Sequence, residues 1–171
     1  MHARLSCALA ALLLAAALPA AAQEPVHWRL ARVTAAGSAR PGDRMRLRLT
    51  ATLDSGWYIY SLTQPAGGPY ALRITLPEDG PFRLDGAIAA PDPERHHDPN
   101  FGVVETYRGA VAFGIRARRA EARRGDVAVV LVRSQACNGR ICLPPHTDSL
   151  RLALAPRATP PAARTGVPAR P

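Results

Sequence analysis

The segment Arg44-Met45-Arg46-Leu47-Arg48-Leu49-Thr50-Ala51-Thr52-Leu53 constrains the fold more than any other. Apolar residues alternate with Arg or Thr along its whole length. Successive side chains of a strand point to opposite faces, so this pattern demands one face on a core and one in water. A helix would scatter the same arginines around its circumference. Sheets wet on one side are mostly antiparallel.

Other stretches repeat the pattern. Val26, Trp28 and Leu30 share a face, with His27, Arg29 and Ala31 opposite. Asp54-Ser55-Gly56 turns the chain into Trp57-Tyr58-Ile59-Tyr60-Ser61, rich in residues that favour strands. After a Gly/Pro loop, Tyr70, Leu72, Ile74 and Leu76 alternate with polar positions, and a weaker strand is expected from Phe82 to Ala89. Residues 90–102 read as a long polar loop, a kind of segment that often carries function. Val103 to Tyr107, Val111 to Ala117 and Leu150 to Leu154 are extended again. Val127 to Val132 is apolar on both faces and reads as a central, doubly covered strand. Eight to nine short strands without a helical period predict an all-β, immunoglobulin-like antiparallel β-sandwich.

The termini read differently. Arg4, the apolar run Cys7 to Leu18 and Ala20-Ala21-Ala22 have the three parts of a secretory signal, so residues 1–22 are expected to be cleaved. Cys7 opens the apolar run instead of following it and is not expected to carry a lipid. The sandwich is expected over 23–155, and the Pro/Ala/Arg-rich stretch 156–171 as a disordered tail. Net charge is +9, with every basic residue an arginine. Export and the lack of a basic-aromatic stripe argue against nucleic acid as a partner. An acidic surface or anionic lipid stays open as a partner, and a monomer is expected.

An exported chain meets an oxidising compartment. Past residue 22 only Cys137 and Cys142 occur, in Gln135-Ala136-Cys137-Asn138-Gly139-Arg140-Ile141-Cys142-Leu143-Pro144-Pro145. They could form a staple, a metal clip or a working dithiol/disulfide. A loop this short restricts the unfolded chain by only about 2 kcal/mol, which weakens the staple reading. Arg140 between the sulfurs would favour a thiolate. Asn138-Gly139 allows a sharp bend, and Pro144-Pro145 stiffens the exit at a sheet end. A short, strained bridge is also the more easily reduced. For a metal, His146 and the His96-His97 pair could join the cysteines around copper or zinc, although the Cys spacing is loose and a second pair is missing. No metal and no cofactor are therefore expected. An exported copper-binding or partner-docking module with a structural disulfide is the alternative.

Three motifs in order resemble the N-terminal periplasmic domain family of the thiol:disulfide interchange protein DsbD. They are Gly56-Trp57-Tyr58-Ile59-Tyr60-Ser61, then Asp98-Pro99-Asn100-Phe101-Gly102 with Glu105-Thr106-Tyr107-Arg108-Gly109, then Gln135 to Pro145. The resemblance implies periplasmic thiol:disulfide interchange, with Cys142 attacking and Cys137 resolving. It implies that Tyr58 and Tyr60 stand beside the sulfurs, that Phe101 (or Asn100, one residue away) caps them, and that Asp98 is the acidic residue of that loop. It further implies thioredoxin-like partners, a membrane-embedded electron donor expected on a separate polypeptide, and periplasmic disulfide isomerases or cytochrome c maturation proteins as acceptors. The cysteine spacing is one residue shorter than in the best-known member of that family.

Overall fold

The computed structural model describes residues 24–33, 44–120 and 125–154. The expected signal segment and tail lie outside these residues. Strand β2 (Arg44–Leu53) shows the alternation that its sequence demands: Met45, Leu47, Leu49, Ala51 and Leu53 are buried, while Arg44, Arg46 and Arg48 are exposed. It pairs antiparallel with β1 (Val26–Arg32) on one side and β8 (Ala110–Arg119) on the other, and β5 (Phe82–Leu84) continues the sheet beyond β8. A second sheet runs β11 (His146–Ala153), β9 (Val127–Ser134), β4 (Arg73–Thr75). The third runs β10 (Ala136–Cys137), β3 (Tyr58–Tyr60), β7 (Gly102–Arg108), β6 (Glu94–Asp98). Every ladder pairing of the named strands is antiparallel.

The inward faces of the first two sheets share one core, with Leu47, Leu49, Phe113 and Ile115 from one and Ala128, Val130, Val132 and Ile74 from the other. Ile59 and Tyr107 of the third sheet close it, and the Tyr107 ring meets Phe113 edge-on at 5.5 Å. Each such large side chain contributes about 1.5–3 kcal/mol by leaving water. The all-β sandwich is therefore as its sequence predicts.

Eleven strands are present among the described residues, two more than the upper expected count. The additions are β6 and the two-residue β10. Residues 94–98 belong to a hairpin and are not loop: Arg95 pairs with Glu105, and Asp98 with Gly102. Their exposed, polar sequence hides the strand from a hydrophobic pattern, because its pairing is satisfied by backbone bonds to β7. Strand β9 also differs from expectation. Ala128, Val130 and Val132 are fully buried, but Val127, Val129 and Leu131 are only half covered. The expected 82–89 strand stops at Leu84, since Gly86 takes φ +97°, and resumes only as a bridge between Ala89 and Gly114.

Candidate functional site

Strand β9 leaves its sheet at Gln135. The side chain of this residue fastens the switch: Oε1 accepts from the Tyr70 amide at 3.3 Å, and Nε2 donates to the Leu143 carbonyl at 3.3 Å. The chain then enters β10, where Ala136 pairs with Ile59 and Cys137 with Tyr58. The hairpin that follows is held by backbone bonds from Asn138 to the Ile141 carbonyl (3.0 Å) and from Leu143 to the Ala136 carbonyl (2.9 Å). Asn138 Oδ1 accepts from the amides of Arg140 and Ile141, both at 3.0 Å, closing an Asx turn. Gly139 adopts φ +81°, which a side chain would disfavour.

This hairpin brings the two cysteines opposite each other, and they form a disulfide with a Cα–Cα distance of 4.1 Å. The two sulfurs sit in unlike surroundings. Cys137 has no exposed surface, whereas Cys142 lies on the exposed return of the hairpin. Cys137 packs with Tyr58, Tyr60 and Val104 in a small cluster separate from the main core. The two tyrosine rings meet edge-on at 5.7 Å. Burial first, then a side-chain hydrogen bond with Tyr58, push the Tyr60 hydroxyl well above its ordinary pKa, and the nearby Asp98 charge adds to this. Tyr60 is thus a neutral phenol at any ordinary pH.

Sheet register extends the same face. Tyr58 pairs with Arg108, whose guanidinium stacks on the Tyr58 ring at 4.5 Å and approaches Glu94 at 3.6 Å. Tyr60 pairs with Thr106, which is wholly buried with its hydroxyl unpartnered. Asp98 sits at the end of β6, where its Oδ1 accepts from the amides of Asn100 (2.8 Å) and Phe101 (3.1 Å). These bonds shape the hairpin tip. Phe101 is half exposed there, beside Gly68, and makes no ring contact with Tyr58 or Tyr60. Arg140 is exposed and, among the described residues, makes no ion pair. The guanidinium that the fold places on a site tyrosine is Arg108. Nothing in the sequence singled Arg108 out beyond its place in the second motif.

Sequence reasoning also missed Glu105. On the opposite face of β7, this carboxylate is 3% exposed and accepts from Ser61 Oγ (2.8 Å), Thr63 Oγ1, and Arg95 Nε (2.9 Å) and Nη2 (2.6 Å). The Thr63 bond first, then those from Ser61 and Arg95, hold its pKa below the usual value against the opposing effect of burial. Its own amide donates to Gln64 Oε1 at 2.7 Å. The site hairpin is therefore tied to the segment that leaves Tyr60. As for metal donors, His96 pairs with Val104 and His97 with Val103, so the two imidazoles lie on opposite faces of β6. Among the described residues no group of three His, Cys, Asp or Glu side chains is placed to hold a metal.

A sandwich with a disulfide on an edge hairpin, one sulfur sealed and one open, defines a cysteine-pair domain built on an immunoglobulin-like scaffold. Residues 29–154 match the family described as "Thiol:disulfide interchange protein DsbD, N-terminal", and the chain belongs to that family. No curated protein matches it. Among solved structures, the N-terminal periplasmic domain of ScsB from Proteus mirabilis is similar at 18% identity with a TM-score of 0.53, covering 77% of this chain and 47% of that one. The DsbD N-terminal domain of Neisseria meningitidis in the reduced form is similar at 18% identity and TM-score 0.47, covering 67% and 78%. A complex of the DsbD and PilB N-terminal domains from the same organism gives 14% identity and TM-score 0.43, covering 71% and 85%. The ScsB likeness supports the fold.

Proposed function

We propose that this chain is an exported thiol:disulfide exchange domain, with Cys142 as the attacking thiol and Cys137 as the resolving one. The solvent asymmetry of the bridge carries this reading: a partner disulfide can reach Cys142 but not Cys137. Exchange needs an approachable thiolate in line with the partner sulfurs. In the dithiol form, the Cys142 thiolate attacks one sulfur of a partner disulfide, and the other partner sulfur leaves as a thiolate and takes up a proton. Cys137 then loses its proton and attacks Cys142 Sγ. This closes the internal bridge and frees the second partner thiol. Two electrons and two protons have passed to the partner.

The surroundings suit this sequence. Tyr58 and Tyr60 enclose Cys137, and the Arg108 charge over Tyr58 favours a thiolate at the site. Phe101 and Ile141, both about half exposed, with Asp98 and Asn100 on the hairpin tip, provide an apolar and polar rim for a docking partner. Following the family, the exchange takes place in the periplasm, with a thioredoxin-like electron source fed by a membrane-embedded donor. The acceptors are disulfide isomerases or cytochrome c maturation proteins.

Trapping tests this directly. Cys137→Ala should accumulate mixed disulfides through Cys142, and Cys142→Ala should accumulate none. A midpoint potential far below about −300 mV, the range of inert structural bridges, would overturn the reading.

A further inference from the structure

The outer face of the β1–β2–β8–β5 sheet is unusual in its charge. Register places Arg44 opposite Arg118 and Arg46 opposite Arg116, with Arg48 two residues further along β2 facing Gly114. Like charges directly opposite on a sheet repel and destabilise it. Elsewhere four arginines are neutralised or stacked: Arg95 on Glu105, Arg108 on Glu94 and Tyr58, Arg119 on Asp126 and Phe82, Arg133 on Tyr70. On this face Asp85 bonds Arg44 at 2.8 Å, but Arg46, Arg48, Arg116 and Arg118 make no ion pair among the described residues. Arg46, Arg48 and Arg116 surround a recess of about 530 Å³ floored by Gly114, Ala87 and Ala89, and no carboxylate lines it. Gly86 leaves room for Arg116, because a β-carbon there would come within 3.0 Å of its Nη2. Small residues thus sink the floor and leave the guanidinium groups standing around it.

We propose that this arginine face docks the protein on an anionic phospholipid bilayer. A guanidinium binds phosphate with two parallel hydrogen bonds, and an array of them on a flat sheet fits a plane of phosphates. A protein partner is the weaker fit. Protein interfaces are anchored by buried aromatic or aliphatic side chains, and here the large exposed apolar residue is Val33 at the edge. Phe101, Val103 and Ile141 lie instead around the disulfide hairpins, and Tyr70 beside Gln135. Bilayer docking does not depend on the redox reading, since no site residue lies on this face.

The test is co-sedimentation of the full chain from Gln23, which holds every described residue. Vesicles contain 30% phosphatidylglycerol in phosphatidylcholine, or phosphatidylcholine alone. At about 1 kcal/mol, or fivefold, for each arginine near an anionic surface, Arg46→Ser/Arg48→Ser/Arg116→Ser should weaken binding about a hundredfold. An equal-charge control, Arg73→Ser/Arg133→Ser/Arg151→Ser, should weaken it less than tenfold. Binding should collapse in high salt and be absent on phosphatidylcholine alone. The charge repulsion on the face predicts that the first variant melts no lower than the parent, which confirms that it is folded. Equal losses in both variants, no binding to the anionic vesicles at low salt, or displacement by polyglutamate but not by added anionic vesicles would overturn the proposal.

Discussion

Replacing Glu105 by Gln isolates one charge inside the sheet that carries the disulfide. The carboxylate accepts from Ser61, Thr63 and Arg95 while 3% exposed, so little solvent screens the two hydroxyl bonds. Gln keeps the shape and can turn its oxygen towards Arg95 and its amide towards the two hydroxyls. What goes is the charge assistance. Bonds to a charged group contribute about 1.5–3 kcal/mol each and neutral ones about 0.5–1.5. The two shielded hydroxyl partners then give a loss of about 2–3 kcal/mol at neutral pH, and the pair with Arg95, whose side chain is 71% exposed, adds little. With a urea slope of about 2 kcal/mol per molar, the midpoint should fall by about 1–1.5 M. Trp28 and Trp57 give the fluorescence signal. The pH dependence sharpens the test. Folding lowers the Glu105 pKa from its ordinary 4.5, so the native state binds its proton less readily than the unfolded chain. The stabilisation is therefore complete above pH 4.5 and fades as pH falls through the folded value. Parent and variant should converge on acidification. A midpoint change under about 0.3 M at pH 7, or a gap that persists unchanged into acid, would refute the network's role.

Further outcomes follow from the same contacts. Thr106→Val should be neutral or stabilise by about 1 kcal/mol, because it removes a wholly buried hydroxyl without a partner; a melting temperature several degrees lower would contradict this. Gly139→Ala should cost about 1–2 kcal/mol in urea titration, since φ +81° is a left-handed position that a β-carbon disfavours. Asn138→Ala should cost about 1 kcal/mol by removing the acceptor of two turn amides, and should speed amide exchange at Arg140 and Ile141. Phe113→Ala, in the middle of the core, should cost about 3–5 kcal/mol, and a loss under 1.5 would mean that the core repacks around it.

The sandwich was legible because its long strands bury one face each, and β2 and β8 write that in period two. Strand β6 was hidden for the opposite reason: Glu94 to His97 are all exposed, so its pairing leaves no hydrophobic trace. The bend of the cysteine hairpin was legible in Asn138-Gly139, whose side-chain oxygen and positive φ do what those residue types permit. The burial difference between Cys137 and Cys142 was not. It depends on Cys137 pairing with Tyr58, a contact between segments 79 residues apart in the sequence. Glu105 and Arg108 escaped for the same reason, since charged residues usually belong to the surface. Only register shows one to be enclosed by hydroxyls and the other to stack on a tyrosine.

The cysteine hairpin has a consequence for how the protein wears its own chemistry. Its backbone bonds from Asn138 to Ile141 and from Leu143 to Ala136, and the Asn138 turn, do not pass through sulfur. The S–S bond closes a loop so small that its entropic contribution is about 2 kcal/mol at most. The anchorage of β10 to β3 and of Gln135 to Tyr70 and Leu143 is likewise independent of it. Reducing the bond is therefore expected to leave β10 paired with β3 and the hairpin in register, so that the change a partner meets is confined to the two sulfurs.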